Sequence, residues 1–205
     1  MKIRIDRLCK LTLMVSAMLC STALMAQEVS PTPRIVDPID HDQLVVLKGN
    51  VPRVTQHAEN LGPLDPVTVL PRVTLLIQLT DAQRAALQEL LGEQKASLSP
   101  NFHKWLTPNQ FGERFGLGDA DAAKITSWLQ SQGFTGIEIS PGRNRISFSG
   151  TVAQIEGTFQ TQIERFTVNG EERFSIATEP SIPQAFQGVV AGITGLDNFR
   201  AGQHR

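Results

Sequence analysis

The sequence predicts an α+β domain, a ferredoxin-like antiparallel sheet with helices on one face, preceded by an extended N-terminal arm. Three observations carry this. A strand-like run ends in Val73-Thr74-Leu75-Leu76-Ile77-Gln78-Leu79, four helix-start signatures are spread along the chain, and two hairpin signals lie between them.

Taken in order, Val67 to Leu79 alternates around Pro71 and is a central strand. Thr80-Asp81-Ala82-Gln83, Thr107-Pro108-Asn109-Gln110, Thr151-Val152-Ala153-Gln154 and Ser181-Ile182-Pro183-Gln184 match the capping box. In that motif the first hydroxyl and the fourth side chain satisfy each other's orphan backbone amides. After the first box Leu87, Leu90 and Leu91 recur at helical spacing. In the second, Pro108 takes the favoured first helical position and leads to Phe111 and Phe115. A further helix over Asp119 to Gln132 places Ala122, Ile125, Trp128 and Leu129 on one face and stops at Gly133. The third box opens a helix carrying Val152, Ile155 and Phe159. Phe134 to Ser140 and Arg145 to Ser149 flank the turn Pro141-Gly142-Arg143-Asn144, and Gln162 to Val168 and Glu172 to Ala177 flank Asn169-Gly170. Ile193 to Phe199 supplies a last strand. The expected core is Leu75, Ile77, Leu87, Leu91, Trp105, Phe111, Phe115, Trp128, Phe134, Ile146, Phe148, Phe159 and Leu196.

Residues 1–26 stand apart. Lys2, Arg4, Arg7 and Lys10 form a basic stretch, and Leu11 to Leu24 is an uncharged apolar run shorter than the roughly 20 residues a spanning helix needs. This is the pattern of a signal peptide cut after Ala26, so the mature protein is expected to be secreted or periplasmic, with no membrane attachment after cleavage. Residues 27–65, broken by Pro31, Pro33, Pro38, Pro52 and Pro63, form the arm, in which only Leu44-Val45-Val46-Leu47 looks able to pair as a strand. The domain proper is 66–200, and 201–205 is a tail.

Cleavage removes Cys9 and Cys20, the chain's 2 cysteines, and so excludes disulfide, thiolate and zinc-knuckle chemistry. A mature chain of about 180 residues is stable through burial alone. It keeps 19 − 4 = 15 basic and 20 − 1 = 19 acidic side chains, a net of −4. With no basic run after Lys10, nucleic acid is not an expected partner.

The segment Ser99-Pro100-Asn101-Phe102-His103-Lys104-Trp105-Leu106-Thr107-Pro108-Asn109-Gln110-Phe111 resembles the signature of the pro-kumamolisin activation domain, the propeptide of sedolisin (serine-carboxyl) peptidases. The likeness continues through Phe115-Gly116, Trp128-Leu129, Gly133-Phe134, Ile146 to Thr151, Phe159, Ile163, Pro180 to Pro183 and Gly192 to Phe199, with Leu47 to Val51 ahead of it. The order and spacing of these blocks make it specific. The resemblance implies a propeptide that helps its peptidase fold, covers the active-site cleft until acid conditions arrive, and is then cut away. It also implies a partner, the sedolisin-type catalytic domain, met in cis if the gene continues and in trans otherwise. In the family that domain carries a glutamate and an aspartate on one helix and a serine in a Ser-Gly-Thr-Ser block. Neither pattern precedes Arg205, so the expectation is the module without the enzyme: no catalytic residue and no cofactor. A secreted binding or structural domain that keeps the propeptide fold is the alternative.

Residue by residue, Ser149-Gly150-Thr151 belongs to a capping box and not to a nucleophile, and Glu89 and Glu93 are a solvated pair on a helix surface. His41, His57, His103 and His204 are too scattered for a metal site. Within the family signature Phe102, His103, Lys104, Trp105, Leu106, Thr107 and Pro108, the two aromatic rings are expected as core plugs. His103 is a polar anchor of that loop or a pH-sensitive contact with the peptidase. Asp197, Asn198, Phe199 and Arg200 are the candidates for peptidase contact, because they leave the last strand where a tail can thread a cleft as a non-productive substrate.

Overall fold

The computed structural model describes residues 32–199; the signal-peptide reading, the start of the arm, Arg200 and the tail 201–205 lie outside the described residues. The strands are β1 (Leu44–Val46), β2 (Glu59–Pro63), β3 (Val69–Ile77), β4 (Thr135–Ile139), β5 (Arg145–Thr151), β6 (Ile163–Val168), β7 (Glu171–Ile176), β8 (Ser181–Pro183) and β9 (Val190–Thr194). The helices are α1 (Asp81–Glu93), α2 (Pro108–Phe115), α3 (Asp119–Ser131) and α4 (Val152–Phe159).

The protein is α+β, built on a four-stranded antiparallel sheet of order β4-β5-β3-β9. Read along the chain, β3, helices, β4, β5, α4 and β9 form the split βαβ plan, with β6, β7 and β8 inserted before the last strand. The pleat sorts the sheet residues by face. Val73 pairs with Phe148 and Leu75 with both Ile146 and Ile193, and these side chains are buried under α3 and α4. On the opposite face the Thr74 and Ser147 hydroxyls bond each other at 3.0 Å.

Two smaller sheets complete the fold, β2-β6-β7 and β1-β8. Both recruit the segment read as an arm: Val45 faces Ile182, Asn60 faces Phe166, and Ile35 is fully buried in the main core. The prolines do not exclude all helix there, since Arg53–His57 forms a 3-10 turn closed by the Thr55 hydroxyl donating to the Pro52 carbonyl at 2.8 Å.

Three capping boxes form as expected, with Thr80, Thr107 and Thr151 each accepting from the backbone of the glutamine three residues on. The fourth does not. Ser181, Ile182 and Pro183 are a strand paired with β1, followed by a short 3-10 turn with no side-chain cap. The last strand is shifted as well, ending at Thr194 where Gly195 takes a φ of +83°. Of the expected core, Ile77, Leu87, Leu91 and Phe111 are only half-buried, and Trp105 is 64% exposed.

The centre of the core is aromatic. Trp128 meets Phe159 and Phe186 edge-on, at ring separations of 5.8 and 5.1 Å, and Phe134 packs on Phe148 at 4.7 Å. Among the described residues the buried Trp128 indole N–H has no acceptor, so its burial carries a desolvation cost that offsets part of the packing gain. Trp128→Ala is expected to lose about 3 kcal/mol, the low end for truncating a buried aromatic. Trp128→Phe, which removes the orphan donor and keeps a ring, is expected to lose less than about 1.5 kcal/mol. Urea melts of the two variants check this, and equal losses would show that ring packing is not what Trp128 contributes.

Candidate functional site

The first candidate region is the exit of the chain. Gly195 turns it off β9, Leu196 is buried, and Asp197 accepts the Phe199 backbone N–H at 3.0 Å. Asn198 is clipped to β7: its N–H donates to the Phe174 carbonyl at 3.2 Å, and its side-chain oxygen accepts the Phe174 N–H at 2.8 Å. Asp197, Asn198 and Phe199 are thus brought together on the edge of the β2-β6-β7 sheet as an ordered exit, with Arg200 beyond the described residues. Two of the three side chains hold the chain's own backbone, so the family likeness of this segment has a structural basis within the domain.

The second is the loop between α1 and α2, which carries the signature Phe102 to Pro108. Gln94, 3% exposed at the end of α1, organises it by accepting the His103 N–H on its backbone carbonyl at 3.1 Å and donating its side-chain amide to the Lys104 carbonyl at 2.5 Å. Asn101 donates to the Glu93 carboxylate at 2.7 Å, so of the expected solvated pair Glu93 holds the loop while Glu89 stays exposed. His103 sits at a φ of +55°, and that left-handed residue turns its imidazole onto Phe102, with ring centroids 3.8 Å apart, and towards Trp105 at 6.3 Å. The expected core plugs therefore lie outside: Phe102 is 37% exposed and Trp105 64%. Leu106 is half-buried, and Thr107 and Pro108 open α2 as cap and first residue.

α2 is set close against the β4–β5 turn by two glycines. A Cβ on Gly112 would lie 2.4 Å from the Pro141 carbonyl oxygen, and one on Gly116 2.4 Å from Arg143 Cβ. Nearby, Ser149 donates to the Pro71 carbonyl at 2.7 Å and Thr151 caps α4, so the Ser149-Gly150-Thr151 segment is structural.

Residues that anchor the arm were not singled out by the sequence. The buried Asp121 carboxylate in the first turn of α3 accepts the backbone N–H groups of Arg34 at 2.8 Å and Ile35 at 3.0 Å, and Lys124 donates to the Ile35 carbonyl. Burial lowers the Arg34 guanidinium from its ordinary value, the Asp121 charge opposing that shift. Further along, the Glu179 carboxylate accepts the N–H groups of Gly49 and Asn50, and Asn50 in turn accepts the Ile193 N–H at 3.0 Å on the outer edge of β9. The only signals available in the sequence were an acid in a helix first turn and the familiar Leu47-Lys48-Gly49-Asn50-Val51 block. The arm also flanks an open groove of about 450 Å³ lined by Ile39, His41, Lys124, Ser127 and Trp128. Among the described residues no three His, Cys, Asp or Glu side chains converge as metal ligands would, and no helix is long and apolar enough to cross a membrane.

The fold and its exit define a split-βαβ domain whose chain leaves along a sheet edge. Residues 56–199 match the family model for the pro-kumamolisin activation domain, and the chain belongs to that family. It is similar to xanthomonalisin of Xanthomonas sp. (strain T-22), 38% identical over 113 residues that make up 55% of this chain and 14% of that one. It is also similar to sedolisin of Pseudomonas sp. (strain 101), 24% identical over 69% of this chain and 24% of the relative. Tripeptidyl-peptidase sed1 of Aspergillus fumigatus is 27% identical over 88% of this chain and 27% of its own length. The chain thus spans between about a seventh and a quarter of the relatives it matches. The matched part is the activation domain, a propeptide module distinct from a catalytic domain.

Proposed function

We propose that the chain is the exported activation domain of a sedolisin-type peptidase, which assists folding of the catalytic domain and occupies its cleft until acid conditions release it. In this reading residues 1–26 are removed on export, 27–65 are an arm, 66–200 are the activation domain with Asp197, Asn198, Phe199 and Arg200 meeting the peptidase in cis or in trans, and 201–205 are a tail. The observation that supports it is the family match over 56–199, which takes in both β9 and the clipped exit at Asp197 to Phe199. An exit held on a sheet edge fixes where the chain leaves the domain, and extended chain laid along a partner's backbone is a recurring way for a peptide to occupy a cleft.

The test uses the whole secreted chain with the catalytic domain of xanthomonalisin freed of its own activation domain. Inhibition near neutral pH and faster recovery of activity on refolding are expected. A chain that does neither is a binding or structural domain that has kept the propeptide fold. Inhibition is further expected to weaken as pH falls from about 7 to about 4, the window in which imidazoles gain and carboxylates lose charge. The inhibition constant is measured across that range for wild type, His103→Gln and Asp197→Asn. Identical profiles in wild type and both variants would place the switch on the peptidase.

A further inference from the structure

The α1–α2 loop holds apolar side chains in water by a rigid, polar scaffold. Leu98 is 98% exposed, Trp105 64% and Phe102 37%, all within eight residues. They do not project for want of order. The buried Gln94 side chain, the Glu93–Asn101 bond and the Ser99 hydroxyl accepting the Asn101 N–H at 3.1 Å fix the backbone, and His103 takes a left-handed φ that imidazole-bearing residues adopt only at a cost. A loop whose scaffold is internally satisfied while its rings face outward is preorganised for a partner, because the ordering entropy that binding would cost has already been lost in folding.

We infer that Leu98, Phe102 and Trp105 form a docking epitope for the catalytic domain of the sedolisin-type peptidase, fitting an apolar recess whose rim carries carboxylates; this rests on the function proposed above. Rigid aromatic anchors in a compact patch are the side chains that dominate binding energy at protein interfaces. Lys95 and Lys104 are exposed around them, two cations against the single Glu93 carboxylate, so the border of the patch is net cationic. That polarity selects a partner surface with carboxylates at its rim. The occupant follows from scale. In the three relatives the matching segment is 14 to 27% of the chain, so the module is there joined to a body several times its size, and an exposed apolar patch of this kind marks the face such a body covers. The loop lies on a different element from the exit at Asp197 to Phe199, which leads towards the same partner in the function proposed above, and two contacts with one partner strengthen each other through effective concentration.

The whole chain, labelled with 5-fluorotryptophan, is titrated with the unlabelled catalytic domain of xanthomonalisin. Two fluorine resonances are expected, from Trp105 and Trp128, with Trp105→Phe assigning them. On binding, the Trp105 resonance loses its H2O-to-D2O solvent shift while that of Trp128 is unchanged, and Trp105→Ala weakens binding at least about tenfold with its melting temperature held. Phe102→Ala moves the affinity in the same direction. Tight inhibition with the Trp105 solvent shift intact and Trp105→Ala binding as wild type overturns the epitope and leaves the proposed function standing. Failure of the wild-type chain to bind any sedolisin-type catalytic domain overturns both. A Trp105 resonance that responds instead to raising the concentration of the chain alone, or to phosphatidylglycerol vesicles, assigns the surface to a second copy or a lipid and overturns the proposal.

Discussion

Gly195→Ala is expected to lose at least about 5 kcal/mol of stability, enough to leave most of a domain of ordinary stability unfolded. A Cβ at this position would sit 2.1 Å from the Arg72 carbonyl oxygen, 3.1 Å from its carbonyl carbon and 3.3 Å from Val73 Cα. All three atoms are backbone of β3, at the bulge that ends where Val73 pairs with Phe148, so their withdrawal disturbs the ladder to β5 and the start of the ladder to β9 at Thr74. The φ of +83° adds a left-handed penalty of about 1 kcal/mol for any side chain. Gly170 separates the two contributions: its φ is +77°, but nothing lies within 4 Å of its Cβ position, so Gly170→Ala is expected to lose about 1 kcal/mol only. Urea denaturation of both variants is the check, and similar losses at the two glycines would show that β3 yields.

Asp121→Ala is expected to lose about 4 kcal/mol and to free the arm. The carboxylate is fully buried and accepts two backbone N–H groups, charge-assisted bonds stronger than neutral ones. Its removal leaves the Arg34 and Ile35 amides without that acceptor and takes a favourable charge away from the part-buried Arg34 guanidinium, which keeps its bond to the Gln78 carbonyl. Asp121→Asn keeps one acceptor oxygen and is expected to fall between. Asp119→Ala, two residues earlier, removes a carboxylate that is 86% exposed beside Arg143 and is expected to lose under about 1 kcal/mol. Thermal melts give the stabilities, and limited proteolysis between residues 35 and 44 reports the arm. An Asp121→Ala protein that melts like wild type with its arm intact would show that the anchor lies elsewhere.

What could be read from the sequence was what neighbours along the chain decide. Thr80 and Gln83, Thr107 and Gln110, and Thr151 and Gln154 make their caps within one turn of helix, so spacing alone identified them. Asn169-Gly170 sets the β6–β7 hairpin in the same local way, with both residues at positive φ. Ser181 to Gln184 carried the same local pattern and was misassigned, because Ile182 and Pro183 answer instead to Val45 and Leu44, which nothing nearby in sequence announces. Trp105 was placed inside on size and apolarity, whereas its position is set by the His103 backbone and by Gln94, eleven residues away. Asp121 looked like any acid favouring a helix N-terminus, and only the path of the arm shows that it holds Arg34 and Ile35. The exit clip escaped for the same reason, since Asn198 finds Phe174 across 24 positions.

The pairing of β1 with β8 sets the order in which the protein can fold. Leu44 meets Pro183, 183 − 44 = 139 positions away, and Leu75 meets Ile193, 193 − 75 = 118 positions away. The central strand gains its second neighbour, and β1 its ladder partner, only once residues 181–194 have been made. Contacts closed over such long loops come late and slowly, because the closure entropy is lost before the contact returns anything. Closing these two ladders therefore waits until β8 and β9 have been made, whereas the capped helices and the β4–β5 and β6–β7 hairpins need only residues before them.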